Sequence, residues 1–297
     1  MPQISPADSI FRSSLSMNKQ CIIDPLLESG QAGSCELLIV ADNEAMQLSL
    51  VEKKTLKILA FEKFIPEKSK DWSACLRELK EKSELITKFP FAKVKIAVYS
   101  NTYTLVPDAL FKSGNEHTYY RLNYSTDIHS QVFSGQVIKY HLHSIYGISS
   151  ELINALTLAF PENKITHFSE VLLNNRFLNS RTDSPRTLSV NVRDHNLDLM
   201  VSEGKKLVLL NSFVWQTIED VLYYSLFICE QLELNPEQIQ IELSGAVERN
   251  SAIYKLLDKY FASIRFAETL PGLKTGYGLE TLPFHLHPVL FGLSLCE

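Results

Sequence analysis

TLSVNVRDHNLDLMVSEGKKLVLLNSF, residues 187–213, decides the fold. Its three apolar runs, TLSVNVRD, LDLMVSE and KLVLLNSF, are separated by short polar turns. That pattern reads as three consecutive strands of a meander. Thr217–Leu234 follows, apolar on nearly every face in its middle, which suits a helix packed on a sheet and covered again. Asn235 and Pro236 end it, and QIQIELSG supplies a fourth strand.

The same order occurs earlier in the chain. CELLIVAD, AMQLSLVE and TLKILAFEKF read as three strands, Asp71–Lys88 as a helix stopped by Pro90, and Val94–Ser100 as the fourth strand. Glu36–Leu59 lies on Thr187–Leu210 without a gap, with identities at Leu37/Leu188, Leu48/Leu199, Glu52/Glu203, Lys54/Lys205, Leu56/Leu207 and Leu59/Leu210. The chain thus reads as a duplicated unit. Between the copies, QVIKYHLHSIYG reads as a strand, SSELINALTLAF as a helix, KITHFS as a strand and EVLLNNRFLN as a helix, completing the first unit. The polar stretch Ser180–Pro185 marks the boundary. The expected domains are 1–183, with the N-terminal segment, and 184–297, with the C-terminal tail.

A meander, a helix and a parallel fourth strand, all repeated, resemble the actin-like ATPase superfamily with its duplicated ribonuclease-H-like halves. TYTLVPDALF and LLNSFVWQTIEDVLYYSLFICEQLELNPEQIQIELSG are similar to a bacterial family of unknown function within it. The resemblance implies two α/β domains facing a central cleft. It also implies a nucleotide between them, its phosphates held by two hairpins that each need an Asp for the metal, then glycines and a hydroxyl. The second hairpin has Asn191 at the Asp position, Arg193, Asp194 and His195 at the glycine positions, and Asn196 at the hydroxyl position. The first has Val40 at the Asp position, with Asp42, Asn43 and Glu44 in the turn. Val40 cannot ligate a metal, Asn191 is a weak ligand for a hard dication, and acidic turn residues repel phosphate. Asp42 and Asp194 are the nearest carboxylates, two or three residues further on. In the adenosine turn Gly245 matches the first glycine, and Ala246 replaces the second. Asp42, Asn191, Asp194 and Gly245 are therefore the degenerate cleft positions, with no catalytic residue, metal or cofactor expected.

Composition narrows the role further. The formal net charge of −5, without a basic block, disfavours nucleic acid. Cys21, Cys35, Cys75, Cys229 and Cys296 are odd in number and scattered, which suits a reducing compartment. MPQISPADSIFRSS has no apolar core for a secretory signal, and Val221–Cys229 is too short to span a membrane. A cytoplasmic location is expected. The pair His141/His143 lacks a further ligand at motif spacing, and the pair His285/His287 has Cys296 nine residues later. The former is expected on one half-exposed sheet face, the latter in a tail that packs Phe284, Leu286, Val289, Leu290 and Phe291 on the body. Gly272, Gly276 and Gly278 do not fit a phosphate loop and read as a flexible connector. Tyr103, Tyr119, Tyr120 and Tyr124 are interface candidates, whereas Phe213, Trp215, Tyr223, Tyr224 and Phe227 read as core. The expected role is a non-enzymatic scaffold or binder of protein partners. The alternative is an enzyme or sensor that binds a nucleotide or small ligand in the cleft.

Overall fold

The structure is a computed structural model that describes residues 20–42, 45–66, 71–125 and 129–296. Asn43 and Glu44, expected in the first turn, lie outside the described residues. The chain forms two compact units. Residues 20–178, 270–282 and 289–296 belong to the first, and residues 179–269 and 283–288 to the second.

The first unit opens with β1 (Gln20–Ile23), β2 (Cys35–Ala41), β3 (Met46–Glu52) and β4 (Lys57–Phe64). Then come α1 (Trp72–Lys82), α2 (Glu84–Lys88) and β5 (Lys93–Val98). The single helix read over Asp71–Lys88 is thus two. Ser83 is extended and caps α2, donating its hydroxyl to Glu62 at 2.7 Å. The same buried carboxylate accepts the Glu84 and Leu85 N–H groups. Those bonds satisfy the orphan donors of a second helix start, so the chain breaks there.

Next come β6 (Tyr103–Pro107), α3 (Glu116–Arg121), β7 (Ser130–Val137), β8 (Leu142–Ser149), α4 (Ser150–Ala159), β9 (Asn163–His167) and α5 (Phe168–Asn179). The main sheet has the order β1-β4-β3-β2-β5-β9, while β6-β8-β7 form a small sheet of their own. Tyr103 and Tyr120, expected at an interface, are buried. Tyr120 lies so close to β8 that a side chain at Gly147 would overlap its hydroxyl. QVIKYHLHSIYG is not one strand. It breaks at Ile138–Tyr140, and His141 adopts a left-handed φ of 53° before β8 begins.

The second unit repeats the plan with β10 (Arg186–Arg193), β11 (Asn196–Glu203), β12 (Lys206–Val214), α6 (Ile218–Gln231), β13 (Gln240–Gly245), α7 (Ala252–Leu257) and β14 (Ser263–Phe266). Its sheet order is β12-β11-β10-β13-β14. α6 starts where Asp220 accepts the Gln216 and Thr217 N–H groups, both at 2.9 Å. The duplication extends to fine detail. Cys35 pairs Glu52 as Arg186 pairs Glu203, and a register shift interrupts Leu50/Val51 in one copy and Val201/Ser202 in the other. These are equivalent positions in the ungapped overlay. Both copies therefore carry the same local irregularity.

The tail departs from the sequence reading, which assigned it wholly to the second domain. Lys274–Thr275 form β15, parallel to β4, and the Gly276 N–H donates to the Ile58 carbonyl at 2.7 Å. A side chain at Gly276 would collide with Asp24 Oδ2, which also accepts the Tyr277 N–H. The glycine connector is thus built onto β4. Phe284 joins the second unit, while Val289, Leu290 and Phe291 are buried in the first.

The five cysteines carry no disulfide, and burial pushes the Cys229 thiol up to about 11. Among the described residues no helix is long and apolar enough to cross a membrane.

One half-buried carboxyl of the first unit predicts a pH dependence. Glu170 accepts the His167 N–H at 3.2 Å and lies where any side chain at Gly135 would fall. Burial pushes its pKa up to about 7, from an ordinary 4.5. The native state therefore keeps a proton that the unfolded chain releases. Its contribution to stability should fall as pH rises from about 4.5 to about 7, by at most about 1.4 kcal/mol per pH unit. Urea midpoints of the chain and of Glu170→Gln, measured across that range, should diverge, with the variant losing less. Parallel curves would show that Glu170 ionises normally.

Candidate functional site

Two-residue alternation divides the second sheet by chemistry. Leu188, Val190 and Val192 of β10, Leu197, Leu199 and Val201 of β11, and Ile241 and Leu243 of β13 form the core with α6 and α7. The opposite face of the same strands carries Ser189, Asn191, Arg193, Asp198, Glu242 and Ser244, all buried. Such groups are costly to bury unless they are hydrogen-bonded.

They are bonded to each other. Asp198 lies opposite Asn191 across the β10–β11 ladder. Its Oδ2 accepts Asn191 Nδ2 at 2.9 Å and Arg193 Nε at 2.8 Å. Its Oδ1 accepts Arg193 Nη2 at 3.0 Å and the Ser212 hydroxyl of β12 at 2.6 Å. A carboxylate has about four lone-pair sites, and four donors meet this one. Asn191 Oδ1 accepts the Ser244 hydroxyl of β13 at 3.1 Å, so the amide is engaged at both ends. Beyond it, Glu242 accepts Arg265 at 2.7 Å. The guanidinium of Arg193 thus folds back along the sheet in a two-pronged pair with Asp198.

The β10–β11 turn itself is tight. Arg193 pairs Asn196, leaving only Asp194 and His195 between, with His195 at a left-handed φ of 53°. Trp215, 2 % exposed, donates its indole N–H to the Arg193 and Asn196 carbonyls at 3.0 and 3.1 Å. Its own N–H donates to the His195 carbonyl. Asp194 lies at the turn, with one carboxylate oxygen 3.8 Å from His195 Nε2.

Gly245 has φ 81°, and a Cβ there would lie 2.0 Å from the Val192 carbonyl oxygen. That oxygen accepts the Ala246 N–H at 2.7 Å. Strand pairing alone therefore requires this glycine. In the first unit, Val40 is buried between Gln47 and Ala97, and the Asp42 N–H closes the hairpin on the Ala45 carbonyl. The structure brings Asn191 together with Ser244, next to Gly245. It leaves Asp194 out of the Asp198 network.

Sequence reading missed Asp198, the hub. Its signal is the period of two: Ser189, Asn191 and Arg193 are polar at alternate positions of an otherwise apolar strand, and Asp198 faces them. The histidine pairs hold no metal constellation, and among the described residues no group of three or more His, Cys, Asp or Glu side chains is arranged to hold an ion. His141 and His143 instead approach Asp108, at 3.7 and 3.3 Å, with His143 stacked on Phe111. His285 packs on Phe266, and burial lowers its pKa.

Residues 24–264 match the family described as protein of unknown function, DUF3822. The chain belongs to the DUF3822 family. Among solved structures it is similar to a Bacteroides thetaiotaomicron protein with an actin-like ATPase fold and unknown function. The TM-score is 0.76 at 20% identity, over 92% of this chain and 100% of that one. It is also similar to a chain of the PilM–PilN type IV pilus biogenesis complex, with a TM-score of 0.60 at 12% identity, over 88% of this chain and 97% of that one. At these identities the likeness establishes the fold, an actin-like ATPase fold of two α/β units. No curated protein matches the chain. This DUF3822 chain thus has the expected fold, and its family is described as one of unknown function.

Proposed function

We propose that this DUF3822 protein is a non-catalytic partner-binding protein on an actin-like fold that has lost its grip on phosphate. The carrying observation is the closed network of Asn191, Arg193, Asp198, Ser212 and Ser244. The residues at the phosphate positions do not fit a magnesium-bound triphosphate. Val40 has no ligand atom, both ends of the Asn191 amide are engaged, and the Asp198 carboxylate is filled by four donors. A metal or phosphate would have to break several buried bonds, each costing about 1–3 kcal/mol when a buried partner is left unsatisfied. Asp194 on the turn adds like charge against a polyanion. The neighbour solved as the PilM–PilN complex supports a protein-binding use of this fold. Cysteines without a disulfide support a reducing, cytoplasmic setting.

The test is calorimetric titration with about 1 mM ATP and excess Mg²⁺. The expected result is no saturable heat. A Kd below roughly 100 μM, about −5.5 kcal/mol, would overturn the reading. In that event alanine at Asp42 and at Asp194 would separate a displaced metal ligand, whose loss abolishes binding, from a repelling bystander, whose loss tightens it.

A further inference from the structure

The tail visits the second unit for one short segment. Residues 283–288 belong to that unit, while 270–282 before them and 289–296 after them belong to the first. The visit rests on two rings of one tight turn, Phe284–Leu286. Phe284 is buried. His285 is half-buried; it packs its ring on Phe266 of β14, centres 4.3 Å apart, and bonds the Val247 backbone just beyond β13. The turn closes on itself, with the Leu286 N–H on the Pro283 carbonyl and the His287 N–H on the Phe284 carbonyl.

The imidazole is satisfied at one nitrogen only. Its Nε2 is buried, and among the described residues it has no hydrogen-bond partner. A neutral ring can leave a bare acceptor there. A protonated ring would carry an N–H and positive charge into the same place, where neither is met. Buried charge without a partner is among the costliest arrangements in a protein. The charges around the ring do not cancel that cost. Glu248 favours the proton, but its side chain is exposed and screened. Arg249 carries like charge, its guanidinium 5.8 Å from the centre of the Phe266 ring. Glu242 and Arg265 bond each other, and they alternate with Leu243 and Phe266 to face the other side of the sheet. His287, in the same segment, can add only positive charge. Burial therefore prevails and holds the His285 pKa below its ordinary 6.5.

We propose that the 283–288 segment is an acid-released clasp, seated on β13 and β14 while His285 is neutral and detached when the ring takes a proton. The seated segment binds fewer protons than the released one. Its hold is thus complete above the ordinary histidine pKa of about 6.5 and weakens as pH falls below it. Release bares Phe284 and one side of Phe266, which gives the second unit an apolar patch at acid pH only.

Hydrogen–deuterium exchange of the full chain at about pH 7.5 and about pH 5, corrected for intrinsic rates, tests this. The Leu286 and His287 amides should exchange about three- to thirtyfold faster at the lower pH, thirtyfold being the limit for a ring of ordinary pKa. The amides of β10 and β13 should keep their protection. His285→Phe keeps a ring but cannot take a proton, so its turn should exchange alike at both pH values. Glu248→Gln removes the charge that favours the proton and should deepen the acid loss. Unchanged protection of the turn at the lower pH, or an equal loss in His285→Phe, overturns the proposal. An equal loss across β10 and β13 overturns it too, because the whole unit would then be loosening.

Discussion

Alanine at Asp198 should lower the stability of the chain by about 3–5 kcal/mol, the usual cost of leaving a buried charge without its partner. Arg193, 6 % exposed, would lose both prongs of its pair, and Asn191 and Ser212 would lose acceptors. The measurement is a urea unfolding curve, read as a lower midpoint at unchanged slope. The companion variant, Asp198→Leu with Arg193→Met, removes both charges together. It should recover most of the loss, because apolar replacement of a whole buried pair is often neutral or stabilising. A loss below about 1 kcal/mol for Asp198→Ala would place the pair in the solvated, weakly coupled class. The network would then be too soft to account for a closed phosphate site.

Gly245→Ala should cost about 2–4 kcal/mol, from a left-handed backbone and from overpacking against β10. The added carbon would sit 2.0 Å from the Val192 carbonyl oxygen, a backbone atom that cannot swing aside. The expectation separates two reasons for the glycine. Were it kept for a nucleoside, the change would spare unfolding and alter ligand affinity. Since strand pairing requires it, the thermal midpoint should fall in the absence of any ligand. A midpoint within about 2 °C of the parent would reject the packing account.

The fold was legible because strand alternation and helix periodicity survive in both copies. The ungapped overlay of Glu36–Leu59 on Thr187–Leu210 even carries the shared register shift, since an irregularity that keeps its length leaves the overlay intact. Three features were not legible, each because a distant group decides it. Ser83 ends a helix whose periodicity continues, because Glu62, far back in β4, caps the next one. His141 leaves the strand pattern through a left-handed backbone that carries no glycine to announce it. The glycines at 272–278 read as slack because their partner, the edge of β4 with Asp24, lies more than two hundred residues earlier. At the candidate site, the sequence showed a polar residue at alternate positions of β10, Ser189, Asn191 and Arg193, in an otherwise apolar strand. The reuse of Arg193 was hidden, since only the ladder reveals that it faces Asp198.

The divided tail has a consequence for synthesis. Domains usually fold as they leave the ribosome, the N-terminal one first. Here the first unit reserves places for Leu290 and Phe291, the latter edge-on to Phe61 at 6.4 Å, and for the Cys296 carbonyl that accepts Lys95 at 2.8 Å. Until those residues emerge, Phe61 and its neighbours wait with an unfilled core. The contiguous strands β10 to β14 have already left the tunnel by then. The order of completion is therefore reversed, with the later copy of the duplication able to pair its strands before the earlier one is closed.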